Sequence, residues 1–197
     1  RAVLVEARRV MRPNIAALVF TDWRMVPHLA PALESSGLRY RNMIVWDKMS
    51  AGLGMGFKPS HEIILEYTNG VTEYATKDGQ NVIRARRVTS GERDHACQKP
   101  LEVLAKLIDV AVPDGGAVLD PFCGSGTTLI AALETGRKAI GIEIDERWVE
   151  VARRRLERWH AQGRLDFGTA NASRLPPQRS GGRQALVGNS VSGEQRK

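Results

Sequence analysis

Asp120, Gly124, Gly126 and Glu143 are the residues whose types and spacing best suit chemistry. In VLDPFCGSGTTLIAALETGRKAIGIEID (118–145) a short apolar run ends at Asp120 and a glycine-rich turn follows. An apolar helical stretch then leads to a second short run that ends near Glu143. Glycine has no Cβ, so backbone at Gly124 and Gly126 can approach a ligand closely. Such a ligand sits at the carboxyl end of the strand, against the start of the helix. An acidic residue about 20 positions beyond the turn is where a carboxylate reaches ribose hydroxyls in dinucleotide folds. The chemistry implied is the binding of a nucleoside-bearing cofactor. Phosphate would call for basic side chains or free N–H groups at the helix start. Asp120 would instead repel phosphate and attract an amine. S-adenosylmethionine, with ribose hydroxyls, an ammonium and no phosphate, fits this loop better than NAD. The plain alternative gives the glycines to a tight turn and Asp120 to a structural cap. The strand, the Asp, the Thr pair and the spaced Glu together weigh against it.

Several elements must position these groups. Residues 1–11 read as a helix with Val3, Ala7 and Val10 on one face. IAALVF (15–20) reads as a strand buried on both faces, and residues 24–36 as a helix ending at Gly37. RNMIVWDK (41–48) and HEIILEYT (61–68) predict an antiparallel pair around a glycine-rich loop. Residues 69–98 read as an extended insertion rather than core. Leu101, Leu104, Leu107, Ile108 and Ala111 predict a helix. Asp145 should cap a last helix whose apolar stripe is Trp148, Val151, Ala152, Leu156 and Trp159. Arg153, Arg154, Arg155 and Arg158 are read as its exposed face. Residues 1–170 are expected to form one domain, and 171–197 a disordered tail.

The bulk composition permits this. The chain has 197 residues, 42% of them hydrophobic, which allows one domain with a real core. A formal net charge of +7 suits a polyanionic partner such as nucleic acid. Cys97 and Cys123 lack metal-type spacing, no ligand cluster suggests a metal, and a reducing cytoplasm is the expected location. No apolar run approaches the roughly 20 residues of a spanning helix. The chain begins at Arg1 in what reads as the middle of a helix, so a fragment of a longer protein is expected.

DPFCGSGTT (120–128) resembles the cofactor motif of the DNA amino-methyltransferases, which methylate adenine N6 or cytosine N4. HACQKP (95–100) is similar to the H-x-x-QKP element ahead of that motif, and GIEID (141–145) to the ribose-binding strand end. Their order matches the circularly permuted β-type group, in which the catalytic region comes first. The resemblance implies an α/β, Rossmann-like S-adenosylmethionine-dependent fold with a mixed sheet and an antiparallel hairpin. It implies that Asp120, Phe122, Gly124, Ser125, Gly126, Thr127 and Thr128 shape the pocket for the methionine part. Gln98, Lys99 and Pro100 would close it from the other side, and Glu143 would hold the ribose. Cys123 falls at a variable position and reads as a small filler, not a nucleophile.

One departure is large. The family's catalytic tetrapeptide, (D/N/S)PP(Y/F/W), does not occur here. The lone Pro-Pro pair is in LPPQ (175–178). The motif is expected upstream of Arg1, no catalytic residue is assigned, and the chain by itself is expected to be inactive. Duplex DNA is the expected partner. Met55 and Phe57 in the loop 50–58, and the basic stretch Arg84, Arg86, Arg87 and Arg93, are candidate DNA contacts. A long hairpin loop and a solvated charge run explain them as well. Adenine N6 is expected ahead of cytosine N4. The alternatives are an RNA or protein amino-methyltransferase of the same fold, or a non-catalytic cofactor- or DNA-binding module.

Overall fold

The computed structural model describes residues 2–89, 98–162 and 186–187. The first part builds α1 (Ala2–Val10), β1 (Ile15–Thr21), α2 (Val26–Glu34), β2 (Arg39–Asp47), β3 (His61–Asn69) and β4 (Val82–Arg84). The second builds α3 (Leu101–Ala111), β5 (Ala117–Asp120), α4 (Thr127–Glu134), β6 (Lys138–Gly141), α5 (Glu146–Gln162) and β7 (Leu186–Val187). β1 to β4 form a mixed sheet in the order β1-β3-β2-β4, and β5 to β7 a parallel sheet in the order β5-β6-β7.

β3 is the centre of the first sheet, antiparallel to both β1 and β2. Its side chains alternate between the two faces, as a pleated strand requires. Ile64 packs on one face with Trp46, Ile83, Val103 and Leu107. Ile63, Leu65 and Tyr67 pack on the other, against Leu33 and Leu38 and partly buried residues of α1 and α2. The strand buried on both faces is therefore β3, not β1. Among the described residues β1 pairs only with β3, so it lies at an edge, and none of its side chains is fully buried.

α3 joins the two sheets. Val103 and Leu107 face the cluster under β2 to β4, whereas Leu104 and Ile108 face the cluster of α4, β6 and α5. Phe20 at the end of β1 packs against both clusters. Burial of each such side chain stabilises the fold by about 1.5–3 kcal/mol.

Four further expectations need correction. In α1 the inward residues are Leu4 and Met11 with half-buried Ala7, while Val3 and Val10 are exposed. One position of helical phase separates the two stripes, and only packing against β3 selects between them. Within 69–98, Val82–Arg84 is a strand parallel to β2, and Ile83 and Ala85 are core residues. Residues 82–85 of that stretch thus belong to the sheet and its core. In α5, Arg155 is half-buried rather than on the solvent face. In the tail, Leu186–Val187 pairs with β6, and the remainder of 171–197 lies outside the described residues.

Candidate functional site

The glycine turn is built by the ends of β5 and β6. The ladder between these strands runs past their last regular residues: Ile142 N–H donates to Asp120 O at 2.9 Å and Cys123 N–H to Ile142 O at 3.0 Å. Asp120 Oδ1 accepts the Phe122 N–H at 3.0 Å, so one oxygen of that carboxylate caps the turn. Gly126 N–H then donates to Cys123 O at 2.8 Å, and α4 starts. This sequence of bonds fixes the turn at the carboxyl end of β5, where a parallel sheet presents its ligands.

Glu143 folds back over the turn. Its Oε2 accepts Gly124 N–H at 2.9 Å, and its Oε1 accepts Ile144 N–H at 2.8 Å and Asp145 N–H at 3.0 Å. A carboxylate offers about four lone-pair sites. Three are engaged here, so accepting both hydroxyls of a ribose requires Glu143 to release or share Gly124. The donor chemistry and its place fit a nucleoside on that condition.

The two glycines do different jobs. Gly124 has φ +49°, and a Cβ added there would meet no neighbour within 4 Å, so its outer side is open. Gly126 has φ +80°, and a Cβ there would lie 2.9 Å from the Ala152 Cβ. Its lack of a side chain serves the close approach of α5, not a ligand. Ser125 and Thr127 are buried, and both hydroxyls are held from below by Arg155 Nη1, at 2.9 and 3.1 Å. The same atom donates to Ser125 O at 2.7 Å. These two residues brace the turn, while Thr128 is half-buried and Phe122 is 70% exposed.

Burial pushes the Cys123 thiol up to about 11, with the Asp120 and Glu143 charges adding to the effect. The group stays a neutral thiol packed toward Gly141, a filler without nucleophilic character. Ile142 and Ile144 escaped the sequence reading. They flank Glu143 and stand 53% and 98% exposed, giving the carboxylate an apolar border suited to the flat face of a base. The I-E-I alternation of 142–144 was the available signal.

A second concavity, of about 380 Å³, opens at the carboxyl ends of β1 and β2. Phe20, Asp22, Trp23, Lys48, Glu62, Arg87 and Lys99 contribute to its lining. Glu62 Oε2 is 2.5 Å from Lys99 Nζ, and its Oε1 is 3.0 Å from Lys48 Nζ. Lys99 Nζ also lies 5.4 Å from the Phe20 ring centroid. Burial alone would raise the Glu62 carboxyl, but the Lys99 and Lys48 ammoniums outweigh it and hold it below its ordinary range. The Arg24 guanidinium holds Asp22 down to about 2.

Of the residues assigned to the cofactor, only Lys99 lines this cleft. Pro100 is buried as the N-cap of α3, and Gln98 is half-buried beside them. Asp120 to Thr128 and Glu143 gather separately around the glycine turn. His95, Cys97 and Arg93 lie outside the described residues. Met55 and Phe57 are fully exposed; Arg84, Arg86 and Arg87 are exposed, Arg84 paired with Asp47 at 3.7 Å and Arg87 reaching the cleft. Among the described residues no helix is long and apolar enough to cross a membrane.

Comparison with known proteins agrees with this geometry. A family model described as DNA methylase matches residues 1–154. The type II methyltransferase M2.DpnII of Streptococcus pneumoniae is 29% identical over 170 residues, covering 77% of this chain. The chain spans 63% of that relative's length. The crystal structure of the M1.HpyAVI–SAM complex superposes with a TM-score of 0.65 at 25% identity, covering 77% of this chain and 80% of that one. The PvuII DNA methyltransferase (cytosine-N4-specific) shares the fold, with a TM-score of 0.65 at 14% identity over 75% of this chain and 65% of that one.

Proposed function

Because this chain belongs to the DNA methylase family, we propose that it holds S-adenosylmethionine at the Gly124–Glu143 turn and serves methyl transfer to an exocyclic amine of duplex DNA. The observation that carries this reading is the Glu143 carboxylate accepting the Gly124 N–H at a turn whose Cβ side is open. Support for the cofactor comes from the M1.HpyAVI–SAM complex, which has the same fold. Support for DNA comes from the family match and from the net charge of +7.

When bound, the cofactor supplies an electrophilic methyl group. The chain's own part is to place it. Glu143 accepts the ribose hydroxyls, Ile142 and Ile144 border the base, and Asp120 lies where an ammonium is attracted. Ser125 and Thr127, tied to Arg155, keep the turn from shifting. An exocyclic amine is a weak nucleophile because its lone pair is delocalised into the ring. The base must leave the stack to reach a pocket, and orientation then lowers the barrier through proximity.

No (D/N/S)PP(Y/F/W) tetrapeptide stands in the 197 residues, and none of them is assigned to accept from the amine. Adenine N6 is the amine we assign ahead of cytosine N4, and the label position in the transfer assay below decides between them.

Calorimetric titration of the chain with S-adenosylmethionine tests the binding half, and saturable heat is expected. No heat at millimolar cofactor overturns it. The transfer half is tested on the chain extended by its upstream coding sequence, with tritiated cofactor and duplex DNA or RNA. Label in adenine N6 of DNA is expected. Label confined to RNA, or none in any acceptor, overturns the assignment.

A further inference from the structure

We propose that the tip of the β2–β3 loop is an apolar wedge that enters the DNA base stack where a base is withdrawn; this rests on the DNA methylase reading above. The loop has a fastened neck. Lys48 N–H donates to Ser60 O at 2.8 Å and Gly52 N–H to Pro59 O at 2.8 Å. A Cβ on Gly52 would press on Pro59 O at 2.9 Å, so the two strands of the neck lie in direct contact.

Beyond that neck, Leu53, Met55 and Phe57 project at 99%, 97% and 107% exposure. Gly54 and Gly56 separate them, with φ of +141° and +68° and no neighbour within 4 Å of an added Cβ. No described part of the chain packs on this tip. Three large apolar side chains held in water on a closed neck call for a partner.

The charge around the tip selects nucleic acid. Lys58 is the next residue, and Arg84, 75% exposed though 3.7 Å from the Asp47 carboxylate, stands where β2 leads into the loop. Arg86 and Arg87 follow, exposed. Cations surrounding an apolar point suit phosphates around a base step, and Phe, Leu and Met are side chains that unstack such steps. The neck residues Gly52 and Pro59 also line the cleft with Trp23 and His61. A base drawn toward that cleft would leave its vacated place beside the tip.

The test is fluorescence anisotropy of the full chain, at low salt, with two labelled duplexes identical except for one abasic site. A wedge no longer has to unstack a base at that site, so the wild type is expected to bind the abasic duplex about tenfold tighter. Met55→Ser with Phe57→Ser is expected to bring that ratio to one without moving the thermal midpoint. Lys58→Ala with Arg87→Ala is expected to weaken both duplexes equally and keep the ratio. A wild type without abasic preference, or a Met55/Phe57 variant that retains it, overturns the wedge while leaving the DNA reading intact. No DNA binding by the wild type overturns both. Self-association in sedimentation that disappears in the Met55/Phe57 variant assigns the tip to a second copy of the chain and overturns the wedge.

Discussion

The Gly124 amide donates to Glu143 Oε2 at 2.9 Å across nineteen residues of chain, which makes the glycine turn and the end of β6 one unit. The carboxylate braces the turn, and under the proposed function it also receives a ribose. Glu143→Ala removes both. Hydrogen bonds to charged groups contribute about 1.5–3 kcal/mol, so S-adenosylmethionine affinity should fall about 10- to 100-fold. Calorimetric titration measures it, and unchanged affinity would remove Glu143 from the site.

Gly124 and Gly126 should respond differently to a methyl group. Both occupy left-handed backbone, which costs an L residue about 1–2 kcal/mol. Gly126→Ala adds a clash with Ala152, with overpacking of about 1–3 kcal/mol. Its melting midpoint should fall further than that of Gly124→Ala. Adding Ala152→Gly should restore part of the loss in the Gly126 variant alone, and Gly124→Ala should weaken cofactor binding more than it weakens the fold. Equal midpoints for the two single variants would contradict the packing role of Gly126.

Arg155 joins α5 to the turn through Ser125 O, Ser125 Oγ and Thr127 Oγ1. Arg155→Met keeps much of the stem and removes the donors, stranding buried hydroxyls. A cost of about 1–3 kcal/mol is expected, or roughly 2–12 °C in a chain of this size. Arg158→Met, on the exposed face, is the control and should stay within about 0.5 kcal/mol. Matching midpoints for the two variants would show that Arg155 braces nothing.

The β5–α4–β6 unit was legible because its signals are local. A short apolar run, a glycine turn and a spaced acid lie within one stretch of chain, and the structure places them as one turn. What escaped the sequence depends on distant contacts. Lys99 looks like a solvated cation, yet it pairs with Glu62 from 37 residues away. Arg155 sits among other arginines on a polar stripe, and only Ser125 and Thr127, 30 and 28 residues away in the chain, show why it turns inward. The inward face of α1 depended on one step of helical phase, which β3 decides. Ile83 and Ala85 alternate over too few residues to register as a strand until β2 pairs beside them.

The last prediction concerns acid. Glu62 is held below its ordinary value of 4.5 because Lys99 and Lys48 outweigh the opposing effect of burial. A carboxyl whose folded value is depressed binds fewer protons folded than unfolded, so stability rises with pH through that window. The contribution is complete above about pH 5 and is lost as pH falls below 4.5 through the folded value. Glu62→Gln cannot ionise, so it should lose that contribution at neutral pH and flatten the acid limb of the stability curve. Half-buried Lys99 then lacks its partner, and a cost of about 1–3 kcal/mol at pH 7 follows. Urea denaturation across about pH 3 to 7 measures both effects. If the variant and the wild type lose stability in parallel on acidification, the Lys48–Glu62–Lys99 cluster is not the source of the acid sensitivity.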